Sequence, residues 1–328
     1  MALEANYCRV WLDQPGPNGL EQLLCVRRTR LGKGGQRICV GDRVQVEGID
    51  WIERRGAIAA VAERGSLLPR PAVANVSRVV VVVALEQPSL DPLQLTRFLL
   101  TAEATGAAVE LVLTKADLLS PEQRQFWQQR LQAWGYEPLL VAAPQGLGLA
   151  SLRQRLARPG ISVLCGPSGV GKSSLINALL PELELRVSAV SGRLQRGRHT
   201  TRHVELFPLG PAALLADTPG FNRPDLPVDP AALGPLFPEI RGRLGQACCR
   251  FRNCLHQGDP GCAVGDGWDR YSLYRSCLEA ALVAAAPEQG RNEAPAGLKQ
   301  RGHRQELLLD QRWRQSSRRR RRQGEPED

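Results

Sequence analysis

The run Ile161-Ser162-Val163-Leu164-Cys165 passes directly into Gly-Pro-Ser-Gly-Val-Gly-Lys-Ser-Ser at 166–174, and no other junction constrains the chain as much. The apolar run reads as a buried strand. The segment after it fits G-x-x-x-x-G-K-[ST], a loop that works only between a strand and a helix. Gly166, Gly169 and Gly171, with Pro167, Ser168 and Val170 between them, let backbone N–H groups wrap phosphates. Lys172 reaches the outer two phosphates, Ser173 holds Mg²⁺ with Ser174 beside it, and the helix from Lys172 adds its N-terminal dipole.

A strand of this kind needs parallel neighbours, and the surrounding sequence supplies them. Val76-Ser-Arg-Val-Val-Val-Val-Val-Ala-Leu85 is almost continuously β-branched, as expected of a strand buried on both faces. Asp91-Pro92 starts a helical pattern, Ala108–Asp117 holds a second buried strand, and Ser120-Pro121 opens another helix with an N-cap and a first-turn proline. Further strands at 137–143 and 213–220 continue the rhythm, so the centre is expected to be a doubly wound α/β domain.

Two more motifs fall at strand ends. Asp217-Thr-Pro-Gly220 lies 46 residues after Gly171, where Asp217 can orient the Mg²⁺ shell and the Gly220 amide can meet a γ-phosphate. Thr114-Lys115-Ala116-Asp117 is the candidate base reader. The Asp117 carboxylate matches guanine's N1–H and 2-amino donors and is left unpaired by adenine, a large penalty for a desolvated acid. The stem of Lys115 would cover the base. Thr114 stands where asparagine is usual in such motifs and keeps one of the two hydrogen bonds an amide makes. Val141–Pro144 takes the place of the guanine-supporting loop, with Ala142 at a position more often serine.

The order of these motifs is reversed from the usual one, because the base reader precedes the phosphate loop. The domain is therefore circularly permuted. Its chain leaves the Asp217–Gly220 segment straight into the C-terminal region, where movement of that segment can be felt.

The flanks differ in character. Residues 7–64 read as four or five short strands (7–12, 23–31, 37–48 and 56–64) separated by tight turns, fitting a small OB-like barrel. After Gly220 come proline-rich turns, a Cys/His cluster and a helix over 268–285; beyond Ala286 the chain is polar and is expected to be largely disordered. The resulting division is an OB-like β-barrel at 1–70, a permuted P-loop GTPase domain at 71–222, a zinc-binding helical domain at 223–286 and a basic tail at 287–328.

Nine cysteines, an odd number, favour metal over disulfides where four crowd together. Cys249, Cys254, His256 and Cys262 form C-x4-C-x-H-x5-C, and three thiolates with one imidazole close a tetrahedral, structural Zn²⁺ site. Cys248 competes with Cys249. Loss of a ligand is expected to unfold the C-terminal domain. Cys8, Cys25, Cys39, Cys165 and Cys277 are expected to be small buried hydrophobes.

The net charge of +10 is clustered: Arg27, Arg28, Arg30, Lys33 and Arg37; Arg186, Arg193, Arg196, Arg198 and Arg202; and five consecutive arginines at 318–322. Three acid-free runs point to a polyanion such as RNA. The first residues lack a basic segment leading into an apolar run, and no stretch approaches the roughly 20 apolar residues of a membrane span. A cytoplasmic protein with no membrane partner is expected.

Barrel, permuted motifs and Cys/His knuckle together resemble the ribosome small subunit-dependent GTPase A family (RsgA, also called YjeQ), over residues 5–285. GPSGVGKSSLIN, GRHTT and NCLHQGDPGCAV carry the likeness. The resemblance implies a monomer that binds GTP and GDP with Mg²⁺, holds one structural Zn²⁺, contacts 16S rRNA, and is stimulated by the 30S subunit in its late maturation. In Ras-like enzymes a glutamine after the last glycine of the D-x-x-G motif orients the attacking water; here that residue is Phe221, and another group must substitute. His199 in GRHTT is the candidate that the resemblance also suggests. Thr200 or Thr201 would contact Mg²⁺ and the γ-phosphate, with Thr200 taken as the Mg²⁺ ligand. The competing reading is a non-catalytic RNA-binding assembly chaperone switched by GTP, favoured by Phe221.

Overall fold

The computed structural model describes residues 3–4, 7–28, 37–69, 72–181, 204–217, 224, 226, 229–286, 298–301 and 304–307. His199, Thr200, Thr201, Gly220 and Phe221, together with the loop holding Arg30 and Lys33 and the arginine run at 318–322, lie outside these residues. The chain divides into two compact units, Met1–Leu282 and Val283–Asp328.

The first unit opens with five strands, β1 (Leu3–Glu4), β2 (Tyr7–Trp11), β3 (Gln22–Arg27), β4 (Val44–Asp50) and β5 (Arg55–Val61), in the order β1-β2-β3-β5-β4. Only the β3–β5 pair is parallel. Alternate residues Cys8, Val10, Leu23, Cys25 and Ile58 are buried together, the period-two pattern of a sheet with one wet face. The expected strand over 37–48 is split. Gly41 turns the chain at φ +87°, and a Cβ there would stand 2.2 Å from the Ala74 carbonyl oxygen. Asp42 beside it is buried and accepts from the Cys39 amide and the Arg64 guanidinium, so this segment is a polar joint and the strand starts only at Val44.

A hairpin of β6 (Leu67–Pro69) and β7 (Ala72–Ala74) leads into the central sheet. Its elements in chain order are β8 (Val76–Ala84), α1 (Pro92–Glu103), β9 (Ala108–Thr114), α2 (Pro121–Ala133), β10 (Leu139–Leu140), α3 (Leu149–Leu156), β11 (Gly160–Cys165), α4 (Lys172–Leu179), β12 (Glu205–Gly210) and β13 (Ala213–Asp217). The sheet order is β10-β9-β8-β11-β13-β12, parallel except for β12. In β8, Val79, Val81 and Val83 pack with Leu95, Phe98 and Leu99 of α1 and Leu131 of α2 on one face. Val80 and Val82 pack with Leu152 and Leu156 of α3 and Leu175 and Ile176 of α4 on the other. Burial on both sides explains the unbroken valine run.

The helix starts follow their caps. Asp91 accepts from the Leu93 amide ahead of Pro92, and Ser120 with Gln123 makes a reciprocal capping box ahead of Pro121. Among the described residues three α-helices come after the sheet, α5 (Pro230–Leu233), α6 (Pro238–Leu244) and α7 (Tyr271–Ala285), and Leu233, Phe237, Ile240, Tyr274 and Cys277 bury one another against Leu100 of α1. The second unit contains a hairpin of β14 (Leu298–Arg301) and β15 (Arg304–Leu307). Cys8, Cys25, Cys39, Cys165 and Cys277 are all buried, as their apolar contexts imply.

Candidate functional site

Three loops meet at the C-terminal edge of the parallel sheet, the edge where open α/β sheets bind ligands. The first comes after β11. Gly166 has φ +143°, and a Cβ there would lie 2.0 Å from the Val82 carbonyl oxygen, so the loop can leave the sheet beside β8 only because this residue has no side chain. Gly169 and Gly171 are also left-handed, at φ +81° and +94°. Val170 is buried and anchors the loop in the α3/α4 core, while Ser168, Gly169, Ser173 and Ser174 face outward. The Lys172 ammonium donates to the carbonyl oxygens of Gly166 (2.8 Å) and Pro167 (2.6 Å), which places it over the loop it was expected to serve. Burial pushes the neighbouring Cys165 thiol up, against the pull of Lys172, and keeps it an uncharged part of the core.

The second loop is 114–117, at the end of β9. Thr114 Oγ1 lies 2.6 Å from the Val170 carbonyl oxygen and 3.1 Å from that of Val83. Its one proton favours the shorter contact, so the hydroxyl ties this loop to the 166–174 loop. That is the single bond expected of threonine in place of an amide. Lys115 is left-handed at φ 55°, and its ammonium donates to the Gln87 carbonyl oxygen, bringing the turn after β8 into the site. Asp117 is exposed, and its Oδ2 accepts from Gln145 Nε2 at 3.2 Å.

The third loop, 141–148, supports the second. The Ala116 amide donates to the Val141 carbonyl oxygen at 3.2 Å, and Ala142 and Leu147 exchange a pair of backbone bonds. Gly148, at φ +71°, faces the Leu140 carbonyl oxygen so closely that a Cβ would approach to 2.1 Å. Ala142 is fully buried. Asp217 is the last residue of β13, paired in register with Glu205, which puts its backbone on the same edge.

The structure brings the 166–174 and 114–117 segments singled out from the sequence to one sheet edge; Gln145 and Gln87, which also reach these loops, were not singled out. Neither belongs to a residue pattern with known chemistry; Gln145 lies one position beyond the segment 141–144 expected to support the base.

A second cluster lies between α6 and α7. The ligand atoms of Cys249, Cys254, His256 and Cys262 all fall within 4.8 Å of one another. His256 Nδ1 is 3.5 Å from Cys249 Sγ and 3.7 Å from Cys262 Sγ, separations that four donors at about 2.0–2.3 Å from a shared tetrahedral ion would show. Cys249 is the residue in the cluster; Cys248 is exposed and outside it. Amides steady the sulfurs, Ala263 to Cys249 and His256 to Cys254. Burial lowers the His256 pKa and so keeps the imidazole neutral, the form that ligates. Burial raises the Cys262 thiol, but the amides of Gly265 and Val264 and the neighbouring thiols outweigh it and hold the pKa below the usual range, which favours thiolate. The donor set fits a closed metal site.

Among the described residues no helix is long and apolar enough to cross a membrane. Residues 61–227 match the family described as RsgA GTPase. The chain is 59% identical over 290 residues, 88% of its length and 95% of the other, to the small ribosomal subunit biogenesis GTPase RsgA of Synechococcus sp. strain CC9311. It is 50% identical over 324 residues to the protein of that name from Thermosynechococcus vestitus, covering 97% of this chain and 92% of the relative. Among solved structures it is similar to YjeQ from Thermotoga maritima (TM-score 0.67, 30% identity, 81% of this chain and 92% of that one). YloQ, titled a circularly permuted GTPase, gives TM-score 0.68 at 28% identity, covering 85% and 92%.

Proposed function

The chain belongs to the RsgA GTPase family, and from that premise we propose that it hydrolyses GTP at the three-loop edge in the service of small ribosomal subunit biogenesis, under stimulation by the 30S subunit. The carrying observation is the Thr114–Val170 hydrogen bond, which joins a loop suited to guanine with a loop suited to phosphates.

In this reading Asp117 accepts from the guanine edge, Lys115 covers the base and Ala116 holds the loop to Val141. The amides of 166–171 surround the phosphates, with Lys172, Ser173 and Ser174 at their outer end. Ser173 and Thr200 would hold Mg²⁺, with Asp217 orienting its shell, and the ion would supply neutralisation of phosphate charge; Thr201 and the Gly220 amide would contact the γ-phosphate. His199 positions the water. The metal cluster is proposed to hold Zn²⁺ as a structural ion. The basic runs, including exposed Arg27 and Arg28, are proposed to meet 16S rRNA phosphates, which makes binding fall steeply with salt. The protein is proposed to act as a cytoplasmic monomer divided at 1–70, 71–222, 223–286 and 287–328.

Multiple-turnover GTP hydrolysis with and without 30S subunits tests the function. Stimulation is expected, as is co-sedimentation with 30S subunits only in the GTP-like state; turnover unchanged by subunits sinks the proposed partner. His199→Ala should leave GTP affinity nearly intact and remove on the order of 10²-fold of the stimulated rate. A stimulated rate that survives the change points instead to a group supplied by the ribosome.

A further inference from the structure

Helix α2 runs from the 114–117 loop to the helices that flank the metal cluster. Its N-cap, Ser120, comes three residues after Asp117, and its 13 residues extend roughly 20 Å at 1.5 Å per residue. At its far end Arg130 pairs with Asp269 at 2.7 Å, and Trp134 Nε1 donates to the same carboxylate at 2.6 Å. The next residue, Arg270, is 0% exposed. Its guanidinium bonds both oxygens of Glu239 in the first turn of α6, at 2.7 and 2.5 Å. It also sits over the rings of Trp134 (4.6 Å), Phe237 (4.9 Å) and Tyr136 (5.6 Å).

The Arg270 guanidinium also neighbours the Tyr136 hydroxyl, and the three ring faces offset part of the cost of burying the cation. Around this centre, Glu103 of α1 accepts from Arg241 of α6 at 2.9 Å and from the Tyr136 hydroxyl at 3.1 Å. Gly135 lies so close to Pro238 that a Cβ would come within 2.6 Å of the ring. The joint is therefore close-packed, charged and specific in direction, and a segment docked this way moves with α2 instead of sliding on it.

We propose that α2 is a strut through which the guanine-reading loop and the C-terminal helices flanking the Cys/His cluster sense one another, with Arg270 as the positioning residue that makes the joint rigid. The link rests on 114–117 being the guanine loop. It is a second route to the C-terminal region, separate from the chain leaving Asp217.

Amide hydrogen exchange on the full chain, with and without saturating GDP, tests the link. In the unaltered protein GDP is expected to slow exchange across α2 and also across α6, by on the order of threefold or more, within the range of measured couplings. The double substitution Arg270→Met with Glu239→Gln removes both buried charges together, so neither is stranded. It should keep GDP affinity, bound metal and the response of α2, and lose the response of α6. Arg270→Lys with Glu239 intact should restore part of it. If the double variant does not fold, Asp269→Ala, an exposed position whose loss of both carboxylate oxygens releases Arg130 and Trp134, should reduce the α6 response. A GDP response in α6 that is unchanged in the folded variants overturns the strut, as does GDP binding with no response in α6 of the unaltered protein. Failure of the unaltered protein to bind GDP overturns the guanine reading itself, and the strut with it.

Discussion

Asp117 and Gly166 show two ways in which one residue can be indispensable. Among the described residues the exposed Asp117 side chain makes one long hydrogen bond, to Gln145, so little of the fold depends on it and its proposed value lies in the ligand. Asp117→Asn should move preference from guanine to xanthine nucleotides, whose 2-oxo group needs a donor; competition binding checks it, and equal GTP and ATP affinity in the unaltered protein would sink the assignment. Gly166 is the opposite case. A methyl at Gly166→Ala meets the Val82 carbonyl oxygen at 2.0 Å with φ at +143°, and relief requires β8 and β11 to separate. That substitution should cost roughly 1–3 kcal/mol and lower GDP affinity as well, readable by thermal melting and titration; an unchanged melting temperature would show that the loop has another conformation available. Both residues were legible because their motifs encode local chemistry. Gln145 was not, because its role comes only from the backbone exchange between Ala142 and Leu147 that turns the chain toward Asp117.

At the scale of elements, capping residues were read correctly because a cap is a property of four consecutive residues. The Ser120–Gln123 box fixes the start of α2 and, with it, the end of the 114–117 loop. Ser120→Ala should quicken amide exchange in the first turn of α2 by roughly fivefold, equivalent to about 1 kcal/mol, and leave exchange in α1, capped separately by Asp91, unchanged. Equal effects on both helices would mean that the cap contributes to global stability and not to this element. The split of the expected 37–48 strand was not legible. Val40, Val44 and Val46 alternate well enough for a strand, and only the approach of Gly41 to Ala74 and the burial of Asp42 against Arg64 break it.

For the whole molecule, the question is how far a metal held by the Cys/His cluster would support the C-terminal helices. All four donors lie within 249–262, while α5, α6 and α7 share a core with Leu100 of α1 and are held by Arg270 and Asp269. This shared core argues for a narrower effect than the loss of the C-terminal domain's fold expected from the sequence. Chelation, or His256→Ala, should release one metal ion per chain and open exchange across 249–262 while α6 and α7 keep most of their protection. Elemental analysis and exchange mapping check it; complete loss of helix protection would restore the broader expectation. The tether between Tyr274 Oη and the Leu255 carbonyl oxygen at 2.5 Å should be the first helix contact affected.

The sequence by itself determined the α/β class, the order of the motifs, the candidate loops at 166–174 and 114–117 and the grouping of Cys249, Cys254, His256 and Cys262, because each depends on residue types at fixed short spacings. Burial on both faces writes itself as an unbroken valine run, and a closed metal site writes itself as clustered thiols and an imidazole. Only the tertiary structure decided which contacts join these parts. Thr114 reaching Val170, Gln145 reaching Asp117 and Arg270 seated between Trp134 and Phe237 each link residues at least 28 positions apart. No local pattern records such pairs, since their geometry is set by how the sheet and its covering helices pack.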